Sequence, residues 1–419
     1  MYFLSFKLNQ NTQTLDYTTD NNIELFSLLS QKVDRVERND VEKYITVIDL
    51  STFSDGQSYD LIFKTIETEV EENNHFNLIY KDLLNKKTCL FFFFRENIDF
   101  NNEFFFKLNE LVEKIKISKK QLHFTSLGYY YDGFSNDEYK ILHTPYYAFN
   151  TCWWSYNRAK KLVDFYRFYN EYSKTFLRQR HFVCTNNRIR HFRTWTLWSL
   201  FENNLLDKGY VSYLANSNDT DNNYKFEDFL LDIKHSLAKD SQYKFSTDEL
   251  KKLKSFFSLL PIECDTKQKM SISNHQSGMA IQGVLLNSYL NIITESHADY
   301  VKNKRESIFI TEKTWKPILA HQPFIVIGQQ KHLYALKKLG FKTFEKYIDE
   351  SYDEKIGVEK YETIKKEVTR ICSMEKNHLD RMYWDMMDIL EYNADYFLQM
   401  FENYTKFTDD FIKEAWNTI

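Results

Sequence analysis

Two kinds of apolar pattern alternate along the first third of the chain. Residues 44–50, 90–94 and 121–127 are short, nearly continuous apolar runs. Residues 76–84 and 103–115 instead repeat apolar side chains every three to four positions. In the second of these, Phe104, Leu108, Leu111 and Ile115 fall near the 3.6-residue period. Continuous runs suit strands covered on both faces, and the 3.6-residue stripe suits helices that bury one side. Strand and helix in alternation predict a parallel sheet with helices laid against it. The first 40 residues are polar, apart from a helix expected near 23–29.

A second series follows a long helix expected over 158–176. Residues 181–185 read as a strand, 194–203 as a helix and 210–214 as the next strand. A polar insertion fills 216–259, with one helical patch at 247–257. Residues 288–294 and 324–327 supply further strands, and 331–339 is a helix closed by Gly340 at its C′ position. From about 353 to 416 the pattern is almost wholly helical. The expectation is an α/β chain with an N-terminal domain over 1–178, a second over 179–372 and a helical tail over 373–419. Parallel sheets bind ligands beyond the carboxyl ends of their strands, so the residues just after each strand draw attention.

Composition changes this picture in a few places. A chain of 419 residues is too long for one ordinary core. The formal charge of −4, built from mixed signs, argues against a broad nucleic-acid-binding surface. Cys89, Cys152, Cys184, Cys264 and Cys372 are scattered and form no CxxC pair, which points to a reducing, cytoplasmic setting. The longest aromatic run, 91–94, is far too short to span a bilayer, and the N-terminus lacks the apolar core of a signal peptide. No GxGxxG, P-loop, GxSxG or HExxH pattern occurs.

Three clusters follow expected strands of the second series. Asn187, Arg188, Arg190 and Arg193 come after the first, and arginine's fixed fork of donors suits paired phosphate oxygens. A solvated basic turn is the plainer reading of the same residues. Glu295-Ser296 comes after the strand at 288–294, where a carboxylate can accept from sugar hydroxyls or cap a helix. The third cluster is Phe309-Ile310-Thr311-Glu312-Lys313. Thr311 can cap a helix there, which sets Lys313 beside the amides of the first turn, a place for an anion. Pro317 lacks a donor and is tolerated only near a helix start, so that helix can also begin later and leave Glu312 and Lys313 in a loop. Asp219-Thr220-Asp221 matches a metal-chelating DxD pattern, but it sits in an Asn- and Asp-rich stretch that reads as a solvated loop, and no metal is expected.

The run Phe309-Ile310-Thr311-Glu312-Lys313, then a helix, then Pro323-Phe324-Ile325-Val326-Ile327-Gly328, resembles the nucleotide-binding motif of the α-1,3-fucosyltransferase type. Asn186-Asn187-Arg188-Ile189-Arg190-His191-Phe192-Arg193 and the strand ending at Glu295 resemble glycosyltransferase-like proteins of large viruses and phages. The resemblance covers roughly 181–215 and 285–370. It implies a GT-B fold: two Rossmann-like domains whose parallel sheets face across a cleft, with the nucleotide sugar held mainly by the second. Under it, Lys313 and Arg193 contact the diphosphate, Glu312 the ribose, and Glu295 is the acidic residue near the donor. The chain departs from the family at Phe309, usually Tyr, at His321-Gln322, usually Ala-Gly, and at Pro317.

The implied activity is transfer of a sugar from a GDP- or UDP-sugar to a hydroxyl acceptor, a carbohydrate or, with nucleic acid only as acceptor, a modified DNA base. No cofactor beyond the nucleotide-sugar donor is expected. Charge building on the leaving diphosphate falls to Lys313 and Arg193. The acceptor needs a base, expected to be Glu96 after the strand at 90–94, with Asp132 and His143 in similar positions. A noncatalytic glycan- or virion-binding protein on the same scaffold is the alternative.

Overall fold

The structure, a computed structural model, describes residues 2–9, 14–17, 34–35, 41–50, 59–71, 75–94, 102–126, 128–130, 138–143, 156–186, 188–213, 224–237, 243–264, 283–298 and 307–419. The helix expected near 23–29 lies outside them, as do Glu96, Asp132, Cys152, Asn187 and Asp219-Thr220-Asp221. In chain order the strands are β1 (Tyr2–Asn9), β2 (Thr14–Tyr17), β3 (Asp34–Arg35), β4 (Tyr44–Asp49), β5 (Thr88–Phe93), β6 (Leu122–Ser126), β7 (Gly128–Tyr130), β8 (Lys140–His143), β9 (Arg180–Asn186), β10 (Gly209–Tyr213), β11 (Ser288–Thr294), β12 (Ser307–Phe309) and β13 (Phe324–Ile327). The fold is mixed α/β and Rossmann-like. It divides into two compact units, one of Met1–Phe149, Arg305–Phe309 and Gln399–Ile419, the other of Asn150–Lys304 and Ile310–Leu398. No helix among the described residues is long and apolar enough to cross a membrane.

In the first unit the strands pair in the order β2-β1-β4-β5-β6-β8, with β3 beside β1. β1, β4, β5, β6 and β8 are parallel and stand in chain order, and β2 is an antiparallel edge. The sequence of β5 shows why its run reads as continuously apolar. Leu90, Phe92 and Phe94 join a core with Ile62 and Phe63 of the helix Tyr59–Glu71 and Phe104 and Leu108 of the helix Asn102–Ile115. The alternate residues turn the other way. Phe91 meets Phe411 edge-on at 5.9 Å, and the Cys89 thiol lies 3.6 Å from the Ala415 carbonyl, both at the end of the helix Met387–Trp416. With both faces covered, every residue of β5 is buried.

The second unit holds the sheet β10-β9-β11-β13, all parallel. From β9 the chain moves to β10 on one side, then returns and lays β11 on the other side of β9. Strand order reverses between β9 and β11, and such a reversal opens a crevice at the carboxyl ends of the two strands. At the amino end Arg178, 3% exposed, donates to the carbonyls of Leu286 at 2.8 Å and Ser288 at 3.2 Å, to Asn170 Oδ1 at 2.7 Å and to the Tyr383 hydroxyl at 2.7 Å. One side chain thus ties two helices, Tyr156–Ser173 and Lys376–Asp385, to the start of β11.

The stretch 216–259 departs from the polar insertion expected of it. The helix at Thr247–Phe257 falls where its pattern places it, but a second, Phe226–Ser236, joins it. Phe229, Ile233, Leu253 and Phe256 are buried, and Phe256 lies 5.9 Å from the Trp198 ring and 5.2 Å from Phe201. The cause lies in the helix His191–Glu202, whose apolar residues run all the way round. A helix of that kind needs cover on its outer side as well as on the sheet. It also begins three residues earlier than expected, which moves Arg193 from the loop into its first turn.

Candidate functional site

The site lies where strand order reverses, and it is built from the ends of β9 and β11 and the start of the helix Glu312–Leu319. Asn186 ends β9 and Thr294 ends β11, and their side chains are hydrogen-bonded to each other. Glu295 follows, its amide continuing the ladder to the Ile327 carbonyl of β13 at 2.9 Å. The Glu295 side chain is fully buried. Its Oε1 accepts from the Thr311 amide at 3.1 Å and Thr314 Oγ1 at 2.7 Å, and its Oε2 from Thr311 Oγ1 at 2.5 Å and the Ser296 amide at 3.1 Å. A carboxylate taken out of water is costly unless donors surround it, and here four do. The sequence allows Glu295 to accept from sugar hydroxyls or to cap a helix. Both of its oxygens are committed inside the protein, where they hold the helix start against β11.

Thr311 is the N-cap, as expected, and the helix begins at Glu312 despite Pro317, its sixth residue. The proline removes only the bond that would have reached the Lys313 carbonyl. Two amides of the first turn are already engaged: that of Lys313 reaches Thr311 Oγ1 at 3.4 Å and that of Thr314 the Thr311 carbonyl at 3.1 Å. What the helix start offers an anion is therefore the Lys313 ammonium more than bare amides. It stands 3.1 Å from each of Ser296 Oγ, Thr311 Oγ1 and Glu312 Oε1. Burial works to raise the Glu312 carboxyl, but Lys313 and Lys316 outweigh it and hold it below the usual carboxylate range. Burial lowers Lys316 in spite of Glu312 beside it.

Arg193, 6% exposed, donates through Nη1 to the Arg188 carbonyl and through Nη2 to the Glu295 carbonyl, both at 3.1 Å. It therefore cross-ties the two strand ends, and it is not an exposed fork held out to a ligand. Its Nε is buried and finds no acceptor among the described residues. Burial and then Arg190 pull its pKa down to about 10, against Glu295, Tyr213 and Glu312, so it stays charged at neutral pH. Arg188 and Arg190 are exposed on the loop before it. Around this edge Arg190, Arg193, Lys313 and Lys316 gather with Glu295 and Glu312, four cations with two carboxylates.

No family model matches this chain, and neither does any curated protein or solved structure. The site stands on its own geometry.

Several residues at this edge carry no motif of their own. Thr314 Oγ1 is 3.1 Å from His332 Nε2, at the start of the helix His332–Lys338. Because Thr314 gives its one proton to Glu295, the imidazole is the donor in this contact. Burial lowers its pKa, against Glu295 and Asp353. Gly328 follows β13, and a Cβ there would stand 3.0 Å from Val326 Cγ1 and 3.4 Å from His332 Nδ1, a tight fit to which Val326 would have to give way. Further along, Thr194 Oγ1 pairs with the Tyr213 hydroxyl at 2.6 Å, and Asp232 Oδ2 accepts from Tyr224 at 2.6 Å and Thr194 at 3.1 Å. Of the remaining expected residues, Phe309 is buried, 3% exposed, in a two-stranded sheet of β7 and β12 that belongs to the first unit. His143 ends β8, its side chain outside the described residues, and Glu96 and Asn187 lie outside them altogether.

Proposed function

We propose that the chain is a glycosyltransferase that moves a sugar from a nucleoside diphosphate, GDP or UDP, to a hydroxyl acceptor, with the diphosphate held at the edge between β9 and β11. The observation that carries the reading is the net-positive cluster at the reversal of strand order in the second unit's parallel sheet, with a buried Arg193 N–H lacking an acceptor among the described residues within it. An oxygen-rich anion supplies such an acceptor and balances the excess charge. Crevices of this kind are where open parallel sheets take nucleotides.

Glycosyl transfer passes through an oxocarbenium-like state as negative charge collects on the departing diphosphate. Lys313 and the arginines before and within the helix His191–Glu202 would stabilise that charge, fixed in place before the reaction begins. Loss of the Lys313 cation is expected to slow transfer about 100-fold, the scale seen on removing one donor to a developing oxyanion. The test begins with thermal unfolding of the full chain with GDP, UDP, CDP, ADP and dTDP. A nucleotide at about 100 times its Kd adds roughly 2.7 kcal/mol of stability. One nucleotide should raise the Tm, Lys313→Ala should lose that rise, and the matching nucleotide sugar should be hydrolysed or transferred. A rise without turnover of any nucleotide sugar would favour a binding protein, and no rise with any nucleotide would remove the proposal.

A further inference from the structure

Lys313 supplies the proposed site with its cation, but Glu295, at the centre of the hydrogen bonds, is left without a part in it. We propose that Glu295 is the positioning residue of the diphosphate site: it touches no ligand, and through the Thr311 hydroxyl it fixes where the Lys313 ammonium stands. The inference rests on the reading of the site given above.

The direction of each proton makes the argument. A carboxylate can only accept, so the single Thr311 hydroxyl proton points at Glu295 Oε2, 2.5 Å away. The lone pairs of that hydroxyl are thereby turned outward. They receive the Lys313 ammonium at 3.1 Å and, more weakly, the Lys313 amide at 3.4 Å. The second neutral acceptor for the ammonium is Ser296 Oγ, also at 3.1 Å, and the Ser296 amide is itself bound to Glu295 Oε2. The two residues whose hydroxyls seat Lys313 are thus both bound to one carboxylate, Thr311 through its hydroxyl and Ser296 through its amide. Its other oxygen is fixed by Thr314 Oγ1, with His332 Nε2–H behind it. The Glu295 main-chain carbonyl receives Arg193 Nη2, so one residue locates two cations from two helices.

A helix cap alone does not need this arrangement, because Thr311 already supplies the cap. Nor does it need a charge, and here the charge sets a polarity. A glutamine in place of Glu295 has nearly the same shape, but its Nε2 must donate. Whichever way its amide turns, that Nε2 faces a backbone donor, the Ser296 amide at the place of one oxygen or the Thr311 amide at the place of the other. The seat of Lys313 is disturbed while the packing is kept.

The probe is inorganic pyrophosphate, titrated calorimetrically into the full chain at fixed low salt. Lys313→Ala is expected to weaken binding about tenfold or more, the worth of one charge-assisted hydrogen bond. Glu295→Gln is expected to weaken it by a similar factor in the wild-type background and to add nothing in the Lys313→Ala background. Thr311→Val should behave as Glu295→Gln does, and Thr311→Ser should restore wild-type affinity. If Glu295→Gln does not fold, the cycle of Thr311→Val with Lys313→Ala carries the same test. Equal and additive losses in both backgrounds, or wild-type affinity in Glu295→Gln, would overturn the positioning role and leave the site standing. Pyrophosphate binding that Lys313→Ala does not disturb would overturn the site itself, and the inference with it.

Discussion

At the scale of single residues, the ends of helices account for much that the sequence announces and much that it conceals. Gly340 is legible as a C′ residue and takes that place with φ +102°, its amide on the Lys337 carbonyl and that of Phe341 on Leu336, both at 3.0 Å. His321 closes the helix Glu312–Leu319 in the same way with φ +51°, the Gln322 amide reaching the Pro317 carbonyl at 2.9 Å. Nothing in a histidine advertises this, because the left-handed region favours glycine. The helix His332–Lys338 starts at Lys331, which gives it no side-chain cap. The carboxylate of Asp353, about twenty residues on, accepts from the Leu333 and Tyr334 amides at 3.0 Å instead. Asp353→Ala should therefore cost about 1–3 kcal/mol, the price of a lost cap and buried unsatisfied donors, read as a fall in Tm. Gly340→Ala should also destabilise, by about 1–2 kcal/mol, because its Cβ meets the Tyr396 ring in a backbone region closed to alanine.

At the scale of elements, the strands and their alternation with helices were readable because burial on both faces leaves unbroken apolar runs. Residues 90–94 and 324–327 announce themselves for that reason. The helix Phe226–Ser236 was not readable, since Phe226, Phe229 and Ile233 stand in a stretch crowded with Asp and Lys, and their partners lie on another helix. The all-round apolar helix His191–Glu202 was the clue that something must cover it. Phe256→Ala, which empties the contact with Trp198 and Phe201, should cost about 3–5 kcal/mol in chemical denaturation. The candidate site was legible in its location, just past strands β9 and β11, and not in its division of labour. Whether Glu295 meets a ligand or the protein depends on Thr311 and Thr314, which arrive from 16 and 19 residues away. Sequence patterns carry no information about that kind of meeting.

At the scale of the whole molecule, each unit buries a histidine that burial holds near a pKa of about 4: His123 in the first and His321 in the second. An unfolded histidine binds its proton near pH 6.5, so between pH 6.5 and about 4 the unfolded chain holds more protons than the folded one. Stability is unaffected by these groups above that window and falls as the pH drops through it, by on the order of 3 kcal/mol for each at the acid end. Thermal unfolding followed from pH 7.5 to 4 should show this slope, and His123→Leu should flatten part of it. The interleaving of the units has a consequence for biosynthesis. Phe411, which closes over Phe91 and His123, is synthesised some 270 residues after the end of the stretch that holds the sheet it covers, Phe149 to Ile419 bounding the interval. At about 5–20 residues per second, the first unit waits roughly 14–54 seconds between the synthesis of Phe149 and that of Ile419. For that interval one face of its sheet lacks its own covering helix, while the stretches 150–304 and 310–398 can already be folding.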